Sequence, residues 1–379
     1  MFSSILFMKI GVISDLHLGY ARFEEDSYVQ ANKMLKELEK KVDFIIIAGD
    51  IFDSRIPKLE TIRKAVEIFK SIKIQKIAIH GNHERRTKGF DNPLDVLASA
   101  EALEYLDEKQ KIIEKDGEKV AILCVGSVPE EQAEETIKMI LEKNKPIPDA
   151  TNILVIHQNI TEIVNQNGLT LEFLKNLPFD LIINGHIHKR YEKLGGKLIV
   201  PGSTVITQLK KEETEPKGYV IYDTKTKKAE FCESSTRKFI YEEIVFDKGG
   251  DVEVVEAVEK KMKELRAANP DAIIAIKICG TLREGLKASD IKIKSLDDLI
   301  FVSNELNVAE INEKIEEIKK LRGSNISVRE FGRLELQRKL EGKLRIIKTA
   351  EFFERLIEDE EQANAYLEQI INDLITKKE

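Results

Sequence analysis

The sequence contains no tryptophan, only three cysteines, and no apolar run near the ~20 residues that a membrane-spanning helix requires. Cys124, Cys232 and Cys279 form no CxxC pair, which disfavours a disulfide framework or a zinc finger and favours a reducing cytosol. The opening MFSSILFMKI has no basic n-region and continues into a strand pattern, so it is a poor signal peptide. We therefore expect a cytoplasmic protein.

Basic residues are not in excess. The 379-residue chain has 60 Lys and Arg against 67 Asp and Glu, which gives a formal net charge of −7. A protein coated in basic residues is excluded, so any nucleic acid must be met by local positive patches or by metal ions. The length predicts two or three domains.

Strand and helix patterns alternate over the first two thirds of the chain. Continuous apolar runs such as VDFIIIAGD (42–50) and NILVIHQNI (152–160) are separated by helical stretches, one of them near 91–105. This pattern is typical of parallel or mixed strands that are buried on both faces. After about residue 197 strand follows strand, and we expect these strands to form a second sheet packed on the first.

Composition shifts predict the domain boundaries. DKGGD (247–251) marks the end of a first domain at 1–246, and a small α/β unit follows at 247–305. A linker is predicted at 306–330 and a charged helical tail at 331–379.

The tail carries apolar residues at helical spacing. Its candidate partner-binding residues are Phe352, Phe353, Leu356, Ile357, Tyr366, Leu367 and Ile370. Residues 341–379 contain ten acids and six bases, a net charge of −4, so the tail is a poor DNA grip. Its amphipathic character suits a groove on a protein partner, and the alternative is a helix folded back on its own domain.

All six histidines fall in motifs at the carboxyl ends of predicted strands. The polar clusters are Asp15-x-His17, Gly49-Asp50, Gly81-Asn82-His83, His157 and His186-x-His188. Because strand ends of an open α/β sheet converge on one crevice, we expect these residues to meet. Any one cluster alone would usually be a turn or a satisfied polar group, but five clusters in this order, within motifs that hold every histidine, favour a metal site.

The donors are imidazole, carboxylate and carboxamide groups without thiolate. This set favours Mn²⁺, Fe²⁺ or Zn²⁺ over Ca²⁺ or a soft metal. An aspartate with two oxygens can bridge two ions ~3.5–4 Å apart, the spacing used for in-line phosphoryl displacement. The sequence therefore predicts a site for two divalent ions.

D-x-H, GD, GNH(E), H and GH-x-H, spread over residues 8–204, resemble the five motifs of the calcineurin-like metallophosphoesterases. The resemblance implies an α/β fold, a four-layer two-sheet sandwich with a small α/β capping domain and a helical C-terminal tail. It implies a first ion held by Asp15, His17, Asp50 and His188. It also implies a second ion held by Asp50, Asn82, His157 and His186, with His83 as a proton donor to the leaving oxygen.

Within that superfamily the chain is most similar to the archaeal double-strand-break repair nucleases of the meiotic recombination eleven or SbcD type. GVISDLHLGY, IAGDIFDSR, IHGNHE, NGHIHK and VPGST carry the likeness, and GDIFDSRIP disfavours the serine/threonine phosphatases, which normally continue GD into VDRG. The resemblance implies an Mn²⁺-dependent, nucleoid-associated 3′-to-5′ exonuclease on duplex ends and endonuclease on single strands. It also implies a DNA-binding capping domain, a homodimer, and an ABC-type ATPase partner of the radiation-sensitivity-fifty type bound through the tail.

Two residues do not follow the family pattern. The nuclease family often has a histidine three residues after the GD aspartate, where this chain has Asp53. A role beside the metals and a simple turn role are equally open for Asp53. His80 lies on the strand outside the motif, and we expect it to pack or hydrogen-bond beneath the site and orient a ligand.

Basic residues follow two of the metal motifs. They are Arg85, Arg86, Lys88, Lys189 and Arg190. They are candidates for contacts with a DNA phosphate backbone, and solvated loop ends are the alternative. The helical stretch at 92–106 supplies either a dimer face or part of the core.

Two competing functions stay open at this point. A small-molecule phosphodiesterase or pyrophosphatase of the same superfamily would use the same ligands but has no obvious use for a partner-binding tail. A non-catalytic scaffold on this fold usually shows lost ligands, and here every expected ligand is present.

Overall fold

The computed structural model describes residues 7–87, 89–308, 355 and 364–370. Two six-stranded sheets and the helices that connect their strands account for most of the regular secondary structure in these residues. Among the residues the structure describes, no helix combines the length and apolar character that crossing a bilayer needs.

The first sheet has the strand order β12-β11-β1-β2-β3-β4. Its strands are β1 (Lys9–Ile13), β2 (Phe44–Ala48), β3 (Gln75–Ile79), β4 (Glu104–Tyr105), β11 (Gly218–Asp223) and β12 (Lys228–Glu233). β1 to β4 run parallel, and β11 lies antiparallel to β1. The carboxyl ends of β1, β2 and β3 therefore lie at the same edge of the sheet.

The second sheet has the strand order β5-β6-β7-β8-β10-β9. Its strands are β5 (Lys109–Lys115), β6 (Glu118–Cys124), β7 (Thr151–Ile156), β8 (Leu181–Asn184), β9 (Tyr191–Lys193) and β10 (Leu198–Val200). β6, β7, β8 and β10 run parallel, with antiparallel strands at both edges.

Within the described residues, six α-helices connect or cover the strands of these two sheets. They are α1 (Glu24–Glu39), α2 (Leu59–Ser71), α3 (Pro93–Ser99), α4 (Ala133–Lys143), α5 (Thr161–Val164) and α6 (Leu171–Asn176). The start of α3 is fixed by a capping box, in which Asn92 accepts from the Leu94 N–H and Asp95 accepts from the Asn92 N–H.

Alternate side chains of β2 show how the layers pack. Ile45 and Ile47 pack with the core under α1, α2 and α3, whereas Ile46 packs against Ile122 and Val155 of the second sheet. The opposite face of the second sheet packs on α4 and α6. The order is helix, sheet, sheet, helix, which confirms the predicted α/β sandwich.

A third sheet follows, with the order β13-β14-β15. Its elements are β13 (Phe239–Gly249), α7 (Asp251–Ala268), β14 (Ile273–Leu282) and β15 (Ile300–Val308). One compact unit comprises Met1–Ile244, Glu259–Lys277 and Lys294–Ser303, and a second comprises Val245–Val258, Ile278–Ile293 and Asn304–Glu379, as far as these ranges are described. The predicted domain boundaries stay predictions.

Two expectations about the elements were wrong. β11 and β12 do not join the second sheet, because β11 pairs with the open edge of β1, and the second sheet already begins at β5. The helix expected near 91–105 ends at Ser99, because the chain turns at Glu101 (φ 55°) and Glu104–Tyr105 pairs with β3.

Candidate metal centre

The polar clusters predicted from the sequence lie at the carboxyl ends of strands from both sheets. Asp15, Asp50 and Asn82 follow β1, β2 and β3, while His157 and His186 follow β7 and β8. The expectation of a crevice in one open sheet is therefore corrected, because the two sheets share the site.

The loops that carry these residues have an unusual backbone. Asp15 (φ 52°), His17 (φ 46°), Asp50 (φ 47°) and His186 (φ 73°) all adopt left-handed conformations. Such conformations cost about 1–3 kcal/mol each and persist only where the surroundings enforce them. Here the N–H groups of Asp15 and His17 donate to the carbonyls of Gly49 and Asp50, at 3.1 and 3.0 Å.

The predicted ligands form two groups of converging atoms. In the first group, His188 Nε2 lies 3.1 Å from His17 Nε2 and 3.7 Å from Asp15 Oδ1. The second group comprises Asp50, His157 and His186, with His157 Nε2 3.3 Å from Asp50 Oδ2. Asp50 Oδ2 is also 4.0 Å from His17 Nε2, so this carboxylate lies between the groups.

Asn82 belongs to the second group. Its Oδ1 lies 3.1 Å from His157 Nε2 and 2.7 Å from His186 Nδ1. Gly81 allows this close approach of loops, because a Cβ at that position would lie 1.9 Å from Asp50 Oδ1. The structure thus brings together all seven side chains predicted as metal ligands.

Three imidazoles are held so that Nε2 faces the centre. Nδ1 lies 3.2 Å from Asp53 Oδ1 in His17, 2.8 Å from the Ala48 carbonyl in His157, and 2.5 Å from Thr207 Oγ1 in His188. A hydrogen-bond partner at Nδ1 holds each ring in place and directs its Nε2 at the centre, which is the arrangement found around protein-bound metals.

These residues fit divalent metal ions. Asp15 Oδ2 is buried without a hydrogen-bond partner in the structure, an expensive state for a carboxylate oxygen unless a cation is bound. Nitrogen and oxygen donors without thiolate suit Mn²⁺, Fe²⁺ or Zn²⁺.

The electrostatics divide the histidines into two kinds. Burial lowers the pKa of His186 to about 4 and also lowers the pKa of His188, so both are neutral near pH 7, the form that binds metals. Burial also opposes protonation of His157, but Asp50 and Asp15 outweigh it and raise the pKa of His157 to about 10. Burial opposes ionisation of Asp50, yet His157 and His17 hold the pKa of its carboxyl well below the usual range.

His83 is more open to solvent than the buried ligands and than His188, whose side chain is 24% exposed. Its side chain is 36% exposed, and its Nδ1 lies 2.7 Å from the Asp53 carbonyl oxygen. The ring contributes to a cavity of about 520 Å³, together with Asn159, Gln166, Tyr191, Gln208 and Lys210. His83 also comes close enough to His17 and Asp50 to complete a third possible metal group.

The two residues outside the family pattern lie in different surroundings. The Asp53 carboxylate is 3.2 Å from His17 Nδ1 and 3.8 Å from His83 Nδ1, so it stands beside the centre. His80 is buried and contacts the Tyr105 hydroxyl at 2.9 Å and the Ser127 carbonyl at 3.2 Å. These contacts of His80 are with the loop after β6 and with β4 rather than with a predicted ligand.

The basic candidates differ in their surroundings. Lys189 lines the cavity and pairs with Glu215 at 2.5 Å, whereas Arg190 is exposed and lies over the Phe231 ring. Arg85 and Arg86 are half-buried, and Lys88 lies outside the described residues.

The candidates in the tail are only partly described. Residues 364–370 are helical, with Tyr366 buried and Leu367 and Ile370 half-buried. The other four lie outside the described residues: Phe352, Phe353, Leu356 and Ile357.

Two buried side chains that were not predicted from the sequence join neighbouring loops. Glu84 accepts from the Phe52 N–H at 2.6 Å and the Gly81 N–H at 2.7 Å, which connects the loops after β2 and β3. Asn184 exchanges two hydrogen bonds of 3.0 Å with the backbone of Gln158, next to His157. Glu84 is the last residue of IHGNHE and Asn184 the first of NGHIHK, so both motifs contained the signal, although neither residue was singled out.

Comparisons with known proteins agree with this geometry. Residues 8–190 match the family model described as calcineurin-like phosphoesterase. The chain is similar to the DNA double-strand break repair protein Mre11 of Archaeoglobus fulgidus, at 27% identity over 82% of the chain and 76% of that protein. It is also similar to the proteins of that name from Methanopyrus kandleri, at 30% identity over 52% and 48%, and Rattus norvegicus, at 27% over 62% and 42%. The chain thus spans less than half of the latter two proteins.

Replacing Glu84 tests the connection between the loops after β2 and β3. Burial raises the pKa of Glu84 to about 8, so Glu84→Gln resembles the neutral acid and serves as the matched control. We expect Glu84→Ala to lower the free energy of unfolding by roughly 2–5 kcal/mol, because two buried N–H groups lose their acceptor. Glu84→Gln keeps one acceptor and should cost less. Equal urea midpoints for wild type and Glu84→Ala would contradict this assignment.

Proposed function

The chain contains a calcineurin-like phosphoesterase domain at residues 8–190, and from this premise we propose that it is a metal-dependent DNA nuclease of a double-strand-break repair complex. The observation that carries the proposal is the convergence of seven nitrogen and oxygen donors beside an open cavity. The choice of DNA is supported by the names of the similar proteins.

In this proposal the centre holds two divalent ions, with Mn²⁺ as the physiological metal. Asp15, His17, Asp50 and His188 would hold one ion. The other would be held by Asp50 with Asn82, His157 and His186. Two such ions would activate a water molecule and neutralise charge on the phosphate oxygens.

His83 is proposed as the general acid. Its Nδ1 is engaged by the Asp53 carbonyl, which leaves Nε2 as the nitrogen available to the cavity. A ring held by one hydrogen bond, and exposed on one side, can present a proton to the leaving oxygen without rearrangement. Asp53 orients both His83 and His17 in this scheme.

The proposed substrates are duplex DNA ends, degraded 3′ to 5′, and single strands, cut internally. Lys189 and Lys210 at the cavity offer counter-charges to phosphates, and Arg85, Arg86, Lys88 and Arg190 extend the set of candidates. Because the chain is acidic as a whole, binding depends on these local charges and on the metal ions.

We expect the full chain to degrade labelled DNA only with Mn²⁺, and EDTA to abolish the reaction.

His83→Ala should still bind two ions but cleave about 10²–10⁴-fold more slowly, because it lacks only the proton donor. Gel assays with 3′- and 5′-labelled duplexes and circular single strands measure the rate and polarity. Metal content is measured by plasma mass spectrometry.

Two variants serve as controls for His83→Ala. His83→Asn keeps donors near the Asp53 carbonyl but has no titratable proton, so it should also be slow. His157→Ala removes a proposed ligand and should lose metal. Loss of metal from His83→Ala would reassign His83 as a ligand. Hydrolysis of pyrophosphate or small diesters without any cleavage of DNA would favour the small-molecule alternative, and no hydrolysis at all would favour the scaffold.

A homodimer built on α2 and α3 is also part of the proposal. The two helices pack together, and residues on or beside them expose large apolar side chains: Ile56, Leu59, Phe90 and Val96. Leu94 and Leu97 of α3 are buried, so this helix also serves the core. Exposed apolar groups in this number are characteristic of an interface.

We expect Leu59→Glu to weaken dimerisation by roughly tenfold or more, because a charge replaces a side chain that is 86% exposed in the single chain. Sedimentation velocity over a concentration series measures this. Met139→Glu on α4, at a half-exposed apolar position away from α2 and α3, is the matched control and should leave the association unchanged. A monomeric wild type would refute the dimer.

Residues 247–305 are proposed as a DNA-binding cap and 331–379 as the segment that binds an ABC-type ATPase. The apolar stripe and net charge of −4 over residues 341–379 support a protein partner for the tail.

Deletion from residue 331 should leave nuclease activity intact and abolish co-purification with the ATPase, because the predicted ligands all precede residue 189. A pull-down with purified ATPase measures the binding. Retained binding would reject the assignment of the tail.

A further inference from the structure

His188 is held from behind by a hydroxyl group that comes from a segment after β10. Thr207 Oγ1 lies 2.5 Å from His188 Nδ1 and 3.0 Å from Glu213 Oε1. A threonine hydroxyl has one proton, and a carboxylate only accepts, so the hydroxyl donates to Glu213. The hydroxyl therefore accepts from the His188 Nδ1–H, and the Nε2 lone pair is directed at Asp15 and His17.

Glu213 is itself firmly placed. It is buried, and its Oε1 also accepts from the N–H groups of Thr207 and Gln208, both at 3.2 Å. Its Oε2 pairs with the buried Lys217 at 2.5 Å, which compensates the charge of the carboxylate. The Glu213 carboxylate thus holds the backbone at 207–208 and orients the Thr207 hydroxyl. Gln208, fixed in this way, is one of the residues that line the cavity.

Glu213 and Lys217 are also connected to the backbone of His188, through Ser203. Lys217 donates to Ser203 Oγ at 2.8 Å, and the Ser203 N–H donates to the His188 carbonyl at 3.0 Å. The ring and the backbone of His188 are therefore anchored to the same buried ion pair. His17 and His157 are oriented differently, by a direct carboxylate and by a backbone carbonyl.

We propose that Thr207 and Glu213 are positioning residues that set the tautomer and direction of His188 as a metal ligand. The inference rests on the proposed metal centre and deepens it. The Glu213 carboxylate polarises the Thr207 hydroxyl, which accepts from the His188 Nδ1–H. This hydrogen bond makes His188 Nε2 a stronger electron-pair donor to a metal ion and holds the ring in place. Lys217 supports this arrangement by pairing with the buried Glu213 carboxylate.

The test is a titration of the metal-free full chain with Mn²⁺, in which the paramagnetic resonance signal reports free Mn²⁺. Thr207→Val removes the hydroxyl but keeps the shape of the side chain. We expect it to weaken one of two Mn²⁺ sites about 10–100-fold and leave the other unchanged. The Mn²⁺ concentration for half-maximal DNA cleavage should rise by the same factor, with the rate at saturating Mn²⁺ nearly restored.

Thr207→Ser is the matched control, because it keeps the hydroxyl and loses only the methyl group. It should bind both ions with wild-type affinity. The double variant Glu213→Gln/Lys217→Met removes the carboxylate without leaving a buried charge unpaired. We expect it to weaken the same Mn²⁺ site less than Thr207→Val does, since the Thr207 hydroxyl remains.

The outcomes separate this inference from the proposed function. A wild type that binds no Mn²⁺ overturns the metal centre and with it both proposals. Two wild-type sites with unchanged affinity in Thr207→Val overturn the inference alone. Equal weakening in Thr207→Val and Thr207→Ser also overturns it, because a packing defect would then explain the loss. If Thr207→Val does not fold, the double variant Glu213→Gln/Lys217→Met decides. Wild-type Mn²⁺ affinity in that variant would overturn the inference.

Discussion

The structure depends on polar side-chain atoms that converge within a few ångströms of one another at the ends of two sheets. His17 and His188 bring their Nε2 atoms to 3.1 Å, and Asp15 keeps a buried oxygen without a hydrogen-bond partner. Such contacts do not by themselves stabilise the folded chain, because burying a polar atom is favourable only when it is paired. The surrounding fold therefore has to hold these buried polar groups in place.

Buried hydrogen bonds between loops provide that restraint. Glu84 joins the loops after β2 and β3, Asn184 joins β8 to the loop after β7, and Glu213 supports His188 from behind. Each of these side chains accepts from backbone N–H groups, so it fixes main-chain positions as well as ring orientations. The left-handed residues at Asp15, Asp50 and His186 are tolerated inside this framework.

Much of the centre was predictable because its information is local. A buried strand followed at once by Asp, Asn or His places that side chain at the carboxyl edge, wherever the strand lies in the sheet. The partners of the strands were not predictable in this way. The pairing of β11 with β1 joins segments about two hundred residues apart in the sequence. The hydrophobic periodicity of a strand does not indicate which other strand it pairs with. Thr207 and Glu213 likewise belong to no strand-end motif, so nothing nearby in the sequence connects them with His188.

The division of the ligands between two sheets also bears on how the protein acquires its metal. The first sheet supplies Asp15, His17, Asp50 and Asn82, and the second supplies His157, His186 and His188. Neither sheet alone therefore offers a complete set. A chain in which the sheets have not yet packed would hold ions only weakly, and tight binding would begin when the core around Ile46 and Val155 closes. Metal loading would then be a late event in folding, and ions held by both sheets would stabilise the packing of one sheet on the other by mass action.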